Sequence, residues 1–505
     1  MADTKREIER KYESDDSGLP DLTGVGAVTA VLDKGVVELD ATYYDTPDER
    51  LAATGVTLRR RTGGSDAGWH LKLPVAPGVR DEIRAPLSDT APDDLTALLR
   101  SRVRDAELRP VVRLRSVRDV RHLLDADGRL LAEASVDAVT AERLTGKGGL
   151  AQWTEIEVEL ADGGDPAFLD LVDKRLRKAG VRPSASPSKL ARALTETAPK
   201  GKKGRRGDGR REGAQPVTAG DHVLAYVRTQ RDTIVALDPA VRRGVEDSVH
   251  QMRVATRRAR SALRAYRALF DRAVTEPIGA ELKWLAGELG VDRDREVLAE
   301  RLTADLDALP DTLVDGPVAG RLHARAEGRR GGSRPHLTGV LDSLRYLGLL
   351  DALDALFTDP PLRKAAGRKP SKALAKAVRE EYRRVSGLVE QAIDTPPGHD
   401  RDVALHEARK KAKRTRYAAE AATPALGHPA AALATSMKSL TQLLGDHQDS
   451  VMARLALREL SAVAHAAGEN TFTYGLLYGH EERRAAAVEE ELPQVWKKAR
   501  SRASV

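Results

Sequence analysis

The sequence predicts an α+β chain of two unlike halves, an antiparallel β half followed by an all-α half that contains an internal repeat. Three observations lead there. Before residue 198, charged residues recur with period two, the alternation of a strand. After residue 216 the apolar period becomes helical, and one histidine-led basic helix is written twice. Between them the run Pro199-Lys-Gly-Lys-Lys-Gly-Arg-Arg-Gly-Asp-Gly-Arg-Arg-Glu-Gly-Ala-Gln215 has no apolar periodicity and reads as a flexible linker. The expected organisation is a β domain over 1–197, a basic Gly-rich linker over 198–216 and a helical domain over 217–505.

The strands come first. In Arg6-Glu-Ile-Glu-Arg-Lys-Tyr12 the alternation puts Glu7, Glu9 and Lys11 on one face. Arg59 shares a face with Arg61, His70 with Lys72, Glu82 with Arg84, Arg113 with Arg115, and Glu155 with Glu157 and Glu159. A single charged strand face ordinarily looks at water. Repeated from strand to strand, the pattern fits a sheet that rests that face on another layer or closes into a barrel with a polar lumen. In a barrel the arginines and lysines would grip phosphate oxygens through charge-assisted, often bidentate hydrogen bonds. The glutamates repel phosphate unless a divalent metal stands between them, and Mg²⁺ takes carboxylate oxygens while retaining waters. His70 is expected to line the lumen by hydrogen bonding rather than to act as a base.

The helical half opens on its repeat. His250 is followed by Arg253, Arg257 and Arg260, and His406 by Arg409, Lys413 and Arg416, so a cation stands at +3, +7 and +10 in both copies. That spacing is one face of a helix. Met252, Ala255, Ala259, Ala262, Leu263, Tyr266 and Leu269 form an apolar stripe nearly opposite the first row, and Ala408, Ala412, Thr415, Ala419 and Ala422 form a paler one opposite the second. A basic helix face is often merely solvated. Here the first row has no acid between Gln251 and Phe270, and repelling cations repeated in two copies point to a polyanion that relieves them. Each copy is trailed by a Leu-Gly pair with an aspartate four residues on, Leu289-Gly290 to Asp294 and Leu444-Gly445 to Asp449. Two related helical halves are expected. Glu407 and Glu420 interrupt the second row, so its ends should turn away from a shared groove.

Composition narrows the ligand. The net charge of +7 is modest for 505 residues, so clustering rather than excess carries the information. Aromatic residues are 4% of the chain, which disfavours a reader that stacks on bases. There is no cysteine, hence neither disulfide nor thiolate metal site. No apolar run is long enough to cross a bilayer, and the first residues lack the apolar core of a signal peptide. A cytoplasmic protein with no membrane partner is expected.

Glu7-x-Glu9-x-Lys11, Tyr44-Asp45-Thr46, Leu58-Arg59-Arg60-Arg61, Leu71-Lys72 and Glu155-Ile-Glu157-Val-Glu159, taken in that order, resemble the CYTH superfamily of triphosphate tunnel metalloenzymes. The resemblance implies an eight-stranded antiparallel tunnel, Mg²⁺ or Mn²⁺, and a triphosphate-bearing substrate. It implies metal held by Glu7, Glu9, Glu157 and Glu159, with Glu155 less settled, and triphosphate bound by Lys11, Arg59, Arg61, Lys72, Arg113, Arg115 and Lys189. Glu7, Glu9 and Lys11 would be catalytic, and Arg118 would need a bulge or bend to aim inward. From Val217 onward the histidine-led rows and their trailing Leu-Gly-x-x-x-Asp resemble the conserved-histidine α-helical family called CHAD. That resemblance implies two pseudo-symmetric helical bundles around a basic groove that binds inorganic polyphosphate. Its binding residues would be His250, Arg253, Arg257, Arg260 and Arg264 with His406, Arg409, Lys410, Lys413 and Arg416. The expected function is polyphosphate binding joined to a metal-dependent tri- or polyphosphate phosphohydrolase, an inorganic triphosphatase, in the cytoplasm or at polyphosphate granules. The alternatives are a non-catalytic polyphosphate-targeting protein and a protein acting on RNA 5′-triphosphates or other nucleic acid.

Overall fold

The structure, a computed structural model, describes residues 3–14, 18–146, 148–198, 215–290, 293–327 and 333–501. It divides into two compact units, residues 1–207 and 208–505. Most of the basic Gly-rich run expected as a linker lies outside the described residues.

The first unit is a closed barrel. Its strands are β1 (Asp3–Glu13), β2 (Ala30–Asp45), β3 (Thr57–Thr62), β4 (Gly68–Ala76), β5 (Val79–Ala85), β6 (Arg109–Leu124), β7 (Leu130–Arg143), β8 (Leu150–Leu160) and the two-residue β9 (Arg182–Pro183). They lie in the order β5-β4-β3-β2-β6-β7-β8-β1, and β1 closes the ring by pairing with β5. β9 adds to the far end of β1. The first half of β1, from Asp3 to Ile8, pairs with β5, and the second, from Glu9 to Glu13, pairs with β8. Every pairing is antiparallel, so the eight-stranded tunnel is present.

Two apolar clusters support the barrel from outside. The helix Ala167–Lys178 lays Leu169, Val172 and Leu176 against Tyr12, Leu123, Ile156 and Val158. Leu51, Leu95 and Leu99 pack on Leu58, Trp69, Leu71 and Ile83. A third cluster closes one end of the lumen, where Leu190 and Ala193 of the helix Lys189–Glu196 cover Tyr43, Val112, Leu114, Val139 and Trp153. Asp45 of the Tyr-Asp-Thr run is fully buried, and its carboxylate accepts the backbone N–H groups of Thr46, Leu51 and Ala52 at 2.7–2.9 Å. That aspartate holds a turn rather than a ligand.

The second unit is helical. The two basic helices span Ser248–Ala265 and His399–Leu426. Both apolar stripes are buried as expected, and residues of both copies meet in a single core with the helices Ala219–Arg243, Pro370–Asp394 and His428–Ala466. The hydroxyl of Tyr266 donates to the Ala418 carbonyl at 2.6 Å, joining the copies at their contact. A smaller core gathers Leu302, Leu306 and Leu322 around Ala453, Leu457 and Tyr474. Among the described residues no helix is long and apolar enough to cross a membrane.

Candidate functional site

Strand register brings the tunnel carboxylates together. Across β1 and β8, Glu9 faces Glu159, Lys11 faces Glu157 and Glu13 faces Glu155. Across β1 and β5, Lys5 faces Glu82 and Glu7 faces Arg80. Directly opposed residues on one sheet face stand within side-chain reach. All of these except Glu13 and Glu155 line a cavity of about 600 Å³ that, among the described residues, presents ten lysines and arginines against eight aspartates and glutamates.

These charges are interleaved. Lys72 Nζ lies 2.6 Å from Glu7 and 3.5 Å from Glu82. Lys11 bridges Glu9, at 3.0 Å, and Glu157. Lys5 holds Glu159 at 2.7 Å. The two glutamates of the first motif are pushed in opposite directions. Burial raises Glu7, aided by Glu82 and Glu159 and opposed by Lys72. Burial of Glu9 is outweighed by Lys11, Lys72 and Arg80, and its pKa falls below the ordinary value. A pair driven apart in this way can divide acid and base duties.

A second carboxylate group lies deeper. Oxygens of Asp137, Glu155 and Glu157 come within 4.8 Å of one another. Lys189 Nζ sits among them at 2.9, 2.6 and 2.6 Å. Burial would discharge this lysine, but the three carboxylates outweigh it and raise its pKa. The trio therefore seats an ammonium. Glu7, Glu9, Glu157 and Glu159 carry lysine partners as well, but unlike Asp137 and Glu155 they line the lumen, and their oxygens are a hard set suited to a divalent cation.

Lys11, Arg59, Arg61, Lys72 and Lys189 line the lumen, as expected, but Arg113 and Arg115 do not. Val112 and Leu114 turn into the apolar closed end, so the arginines alternating with them face outward. There Arg113 bonds Asp40 at 2.9 Å, and Arg115 lies 3.8 Å from the same carboxylate. Arg118 points inward instead, bonding Asp137 and Glu157 at 2.7 Å. β6 keeps unbroken register with β7 from Val112 to Leu123, so Arg118 needs no bulge.

Glu82 and Asp137 were not assigned from the sequence, although period two offered both. Glu82 is completely buried and takes His70 Nδ1 at 2.8 Å and Arg84 at 2.5 Å, with Arg59 at 3.7 Å. His70, Lys72 and Arg59 outweigh its burial and hold the carboxyl far below the usual range. The other ring nitrogen of His70 meets the Asp66 carbonyl at 2.9 Å, so both are engaged and His70 orients Glu82. Tyr43 sits beside Arg59, its hydroxyl accepting from Nη1 at 3.3 Å.

In the helical unit the rows converge without merging. Arg253 and Arg257 meet Arg409 and Lys413, and burial together with these three arginines pushes Lys413 down to about 7. Arg260 is lowered by burial and by Arg264, Arg257 and Arg414, and Lys411 by burial, Arg414 and Arg264. The far end of the first row thus faces Lys411 and Arg414. Lys410 is ion-paired with Glu407, and Arg416 bonds Glu420 at 2.8 Å, so these two are already countered. His250 is exposed, and His406 Nδ1 lies 2.5 Å from Gln448 Oε1. Asp449 lies beside Arg409, Arg301 and Lys413, with burial raising its pKa. The side chain of Asp294, its counterpart, lies outside the described residues.

The chain matches two family models, the CYTH domain over residues 5–194 and the CHAD domain over residues 225–458. An uncharacterized protein of Mycobacterium tuberculosis, matched in two strains, is 40% identical over 97% of this chain and 96% of its own length. Among solved structures, PptA from Streptomyces chartreusis is 21% identical over 56% of this chain and 99% of its own, with a TM-score of 0.47. A putative adenylyl cyclase from Hippeastrum, described as having a dominant triphosphatase activity, is 18% identical over 40% of this chain and 98% of its own, with a TM-score of 0.24.

Proposed function

The chain belongs to the family that joins a CYTH domain to a CHAD domain, and from that premise we propose a metal-dependent inorganic tri- or polyphosphate phosphohydrolase whose helical unit binds inorganic polyphosphate. The observation that carries the reading is the tunnel lining. Ten cations would suit a strong polyanion, but eight carboxylates nearly cancel them, so a triphosphate needs further positive charge before it is welcome. A divalent ion supplies that charge. Glu7, Glu9, Glu157 and Glu159 would hold it, and when bound, Mg²⁺ or Mn²⁺ neutralises phosphate oxygens and acidifies a coordinated water.

The remaining groups of the lumen position the substrate. Arg59, Arg61, Lys72 and Arg118 converge on one cavity from three strands, β3, β4 and β6, and would grip successive phosphate oxygens in an extended array. Arg118 and Lys189 keep fixed places because Asp137 holds both. The surrounding lumen cations would stabilise charge on the leaving phosphate.

The helical unit supports the capture role. Crowding strong enough to bring Lys413 to about 7 is relieved when an anion enters among Arg253, Arg257 and Arg409. Inorganic triphosphate incubated with the protein and Mg²⁺ or Mn²⁺ should release phosphate. Glu7→Ala with Glu9→Ala should lower that rate by about 100-fold or more, the scale of losing a principal charge-stabilising or proton-transferring group, while polyphosphate binding stays intact. A wild-type chain that binds polyphosphate yet turns over no short triphosphate would instead establish the non-catalytic targeting role.

A further inference from the structure

Gly290 and Gly445 hold corresponding places in the two copies, each the glycine of a Leu-Gly pair. Neither backbone calls for glycine. Gly445 lies inside the helix His428–Ala466, and neither residue has the positive φ that L side chains avoid. In a helix interior glycine is a poorer choice than alanine. What both positions provide is room. A Cβ at Gly290 would stand 2.7 Å from Cζ and Nη2 of Arg253 and 2.9 Å from its Nε. One at Gly445 would stand 3.1, 3.6 and 3.7 Å from Nη2, Nε and Cζ of Arg409. At each glycine the three nearest heavy atoms belong to one guanidinium, and each time it is the +3 arginine of the histidine-led row. The near-equal separations at Gly290 mean that the plane of Arg253 faces the glycine; at Gly445 the plane of Arg409 is tilted.

We infer that Gly290 and Gly445 are paired seats that fix the guanidinium planes of Arg253 and Arg409 in the orientation that grips one phosphate chain. The inference rests on the polyphosphate reading of this face and adds its positioning residues. A guanidinium already held in place loses less freedom on binding, and its planar fork matches phosphate oxygens only when correctly turned. Alanine at 290 forces Arg253 to move, because no Cβ tolerates a contact of 2.7 Å. Alanine at 445 asks Arg409 for a few tenths of an ångström, so its effect should be smaller.

The test uses the full chain, inorganic polyphosphate of one defined length, and thermal unfolding without ligand. Gly290→Ala should weaken binding about tenfold, the worth of one charge-assisted hydrogen bond, and Gly445→Ala by less. Because no charge is removed, the dependence on salt should keep its slope, whereas Arg253→Ala should flatten it. In the Arg253→Ala background, Gly290→Ala should cost no further affinity. Without ligand, Gly445→Ala should raise Tm more in the Arg409→Ala background than in the wild type, since alanine then gains helix propensity with nothing in its way. Equal affinity losses with and without the arginines, or equal Tm changes in both backgrounds, would overturn the seats. A wild-type chain that does not bind polyphosphate would overturn the reading of the face, and the Tm comparison would still decide the seats.

Discussion

Arg118 and Arg113 stand on the same strand and do opposite things. Arg118 enters the lumen and ties Asp137 to Glu157, whereas Arg113 leaves it and pairs with Asp40. If the lumen holds triphosphate, Arg118→Ala should lower kcat/KM by about 10- to 100-fold, the cost of one charge-assisted contact plus the disturbance of Asp137. Arg113→Ala with Arg115→Ala should change it by less than about twofold, as for exposed ion pairs. Steady-state phosphate release by the two variants checks this, and a larger loss for the outer pair would reject the assignment. Sequence alternation located Glu7, Glu9, Lys11, Arg59, Arg61 and Lys72 because their strands carry charge on the inward face. It misassigned Arg113 and Arg115 because period two fixes which residues share a face without saying which face is inside. On β6 that choice is made by Val112 and Leu114, which fill the closed end under Leu190. Nothing local to the strand announces a helix that arrives some 75 residues later.

The second basic helix shows the same limit at the scale of an element. Its buried stripe was legible from Ala408 to Ala422, since helical period alone specifies it. Which cations meet the other copy was not, because that depends on how two helices cross. The crossing puts Lys413 among Arg253, Arg257 and Arg409, opposed by Asp449, and leaves Lys410 to Glu407. A pH dependence follows. Lys413 has a folded-state pKa near 7, below its unfolded value of 10.5, so its charge destabilises the folded chain below pH 7. That penalty lifts as pH rises from about 7 towards 10.5, the range in which the unfolded chain binds more protons. Polyanion binding has the opposite sign. Affinity should be highest while Lys413 is charged and should fall as pH rises through 7. The bound anion raises the pKa of Lys413, so binding near pH 7.5, about half a unit above it, should take up a fraction of a proton. Calorimetry in buffers of different ionisation enthalpy measures this uptake. Lys413→Gln should abolish it, and an unchanged uptake would place the titration elsewhere.

At the scale of the molecule, if the tunnel and the helical face both take polyphosphate, as proposed, their sharing one chain should keep a ligand held by one at raised local concentration for the other. This coupling separates the proposed enzyme from a tunnel and a binder that merely coexist. Arg253→Ala with Arg409→Ala removes two cations from the helical face without touching the barrel. Turnover of inorganic triphosphate, which is short enough to use the tunnel alone, should be unchanged. With long-chain polyphosphate, KM should rise about tenfold or more while kcat stays the same, because capture is lost and chemistry is not. The slope of log affinity against log salt should flatten, since fewer counterions exchange; a double-stranded polyanion gives about 0.9 per phosphate neutralised and a single strand about 0.7. RNA at equal charge provides the contrast. It offers phosphates at a wider spacing, together with bases that a face poor in aromatics does not stack, so it should not displace polyphosphate at equal charge concentration. Equal displacement would move the ligand of the helical unit to nucleic acid, and a KM for long chains that ignores the two arginines would leave the units working independently.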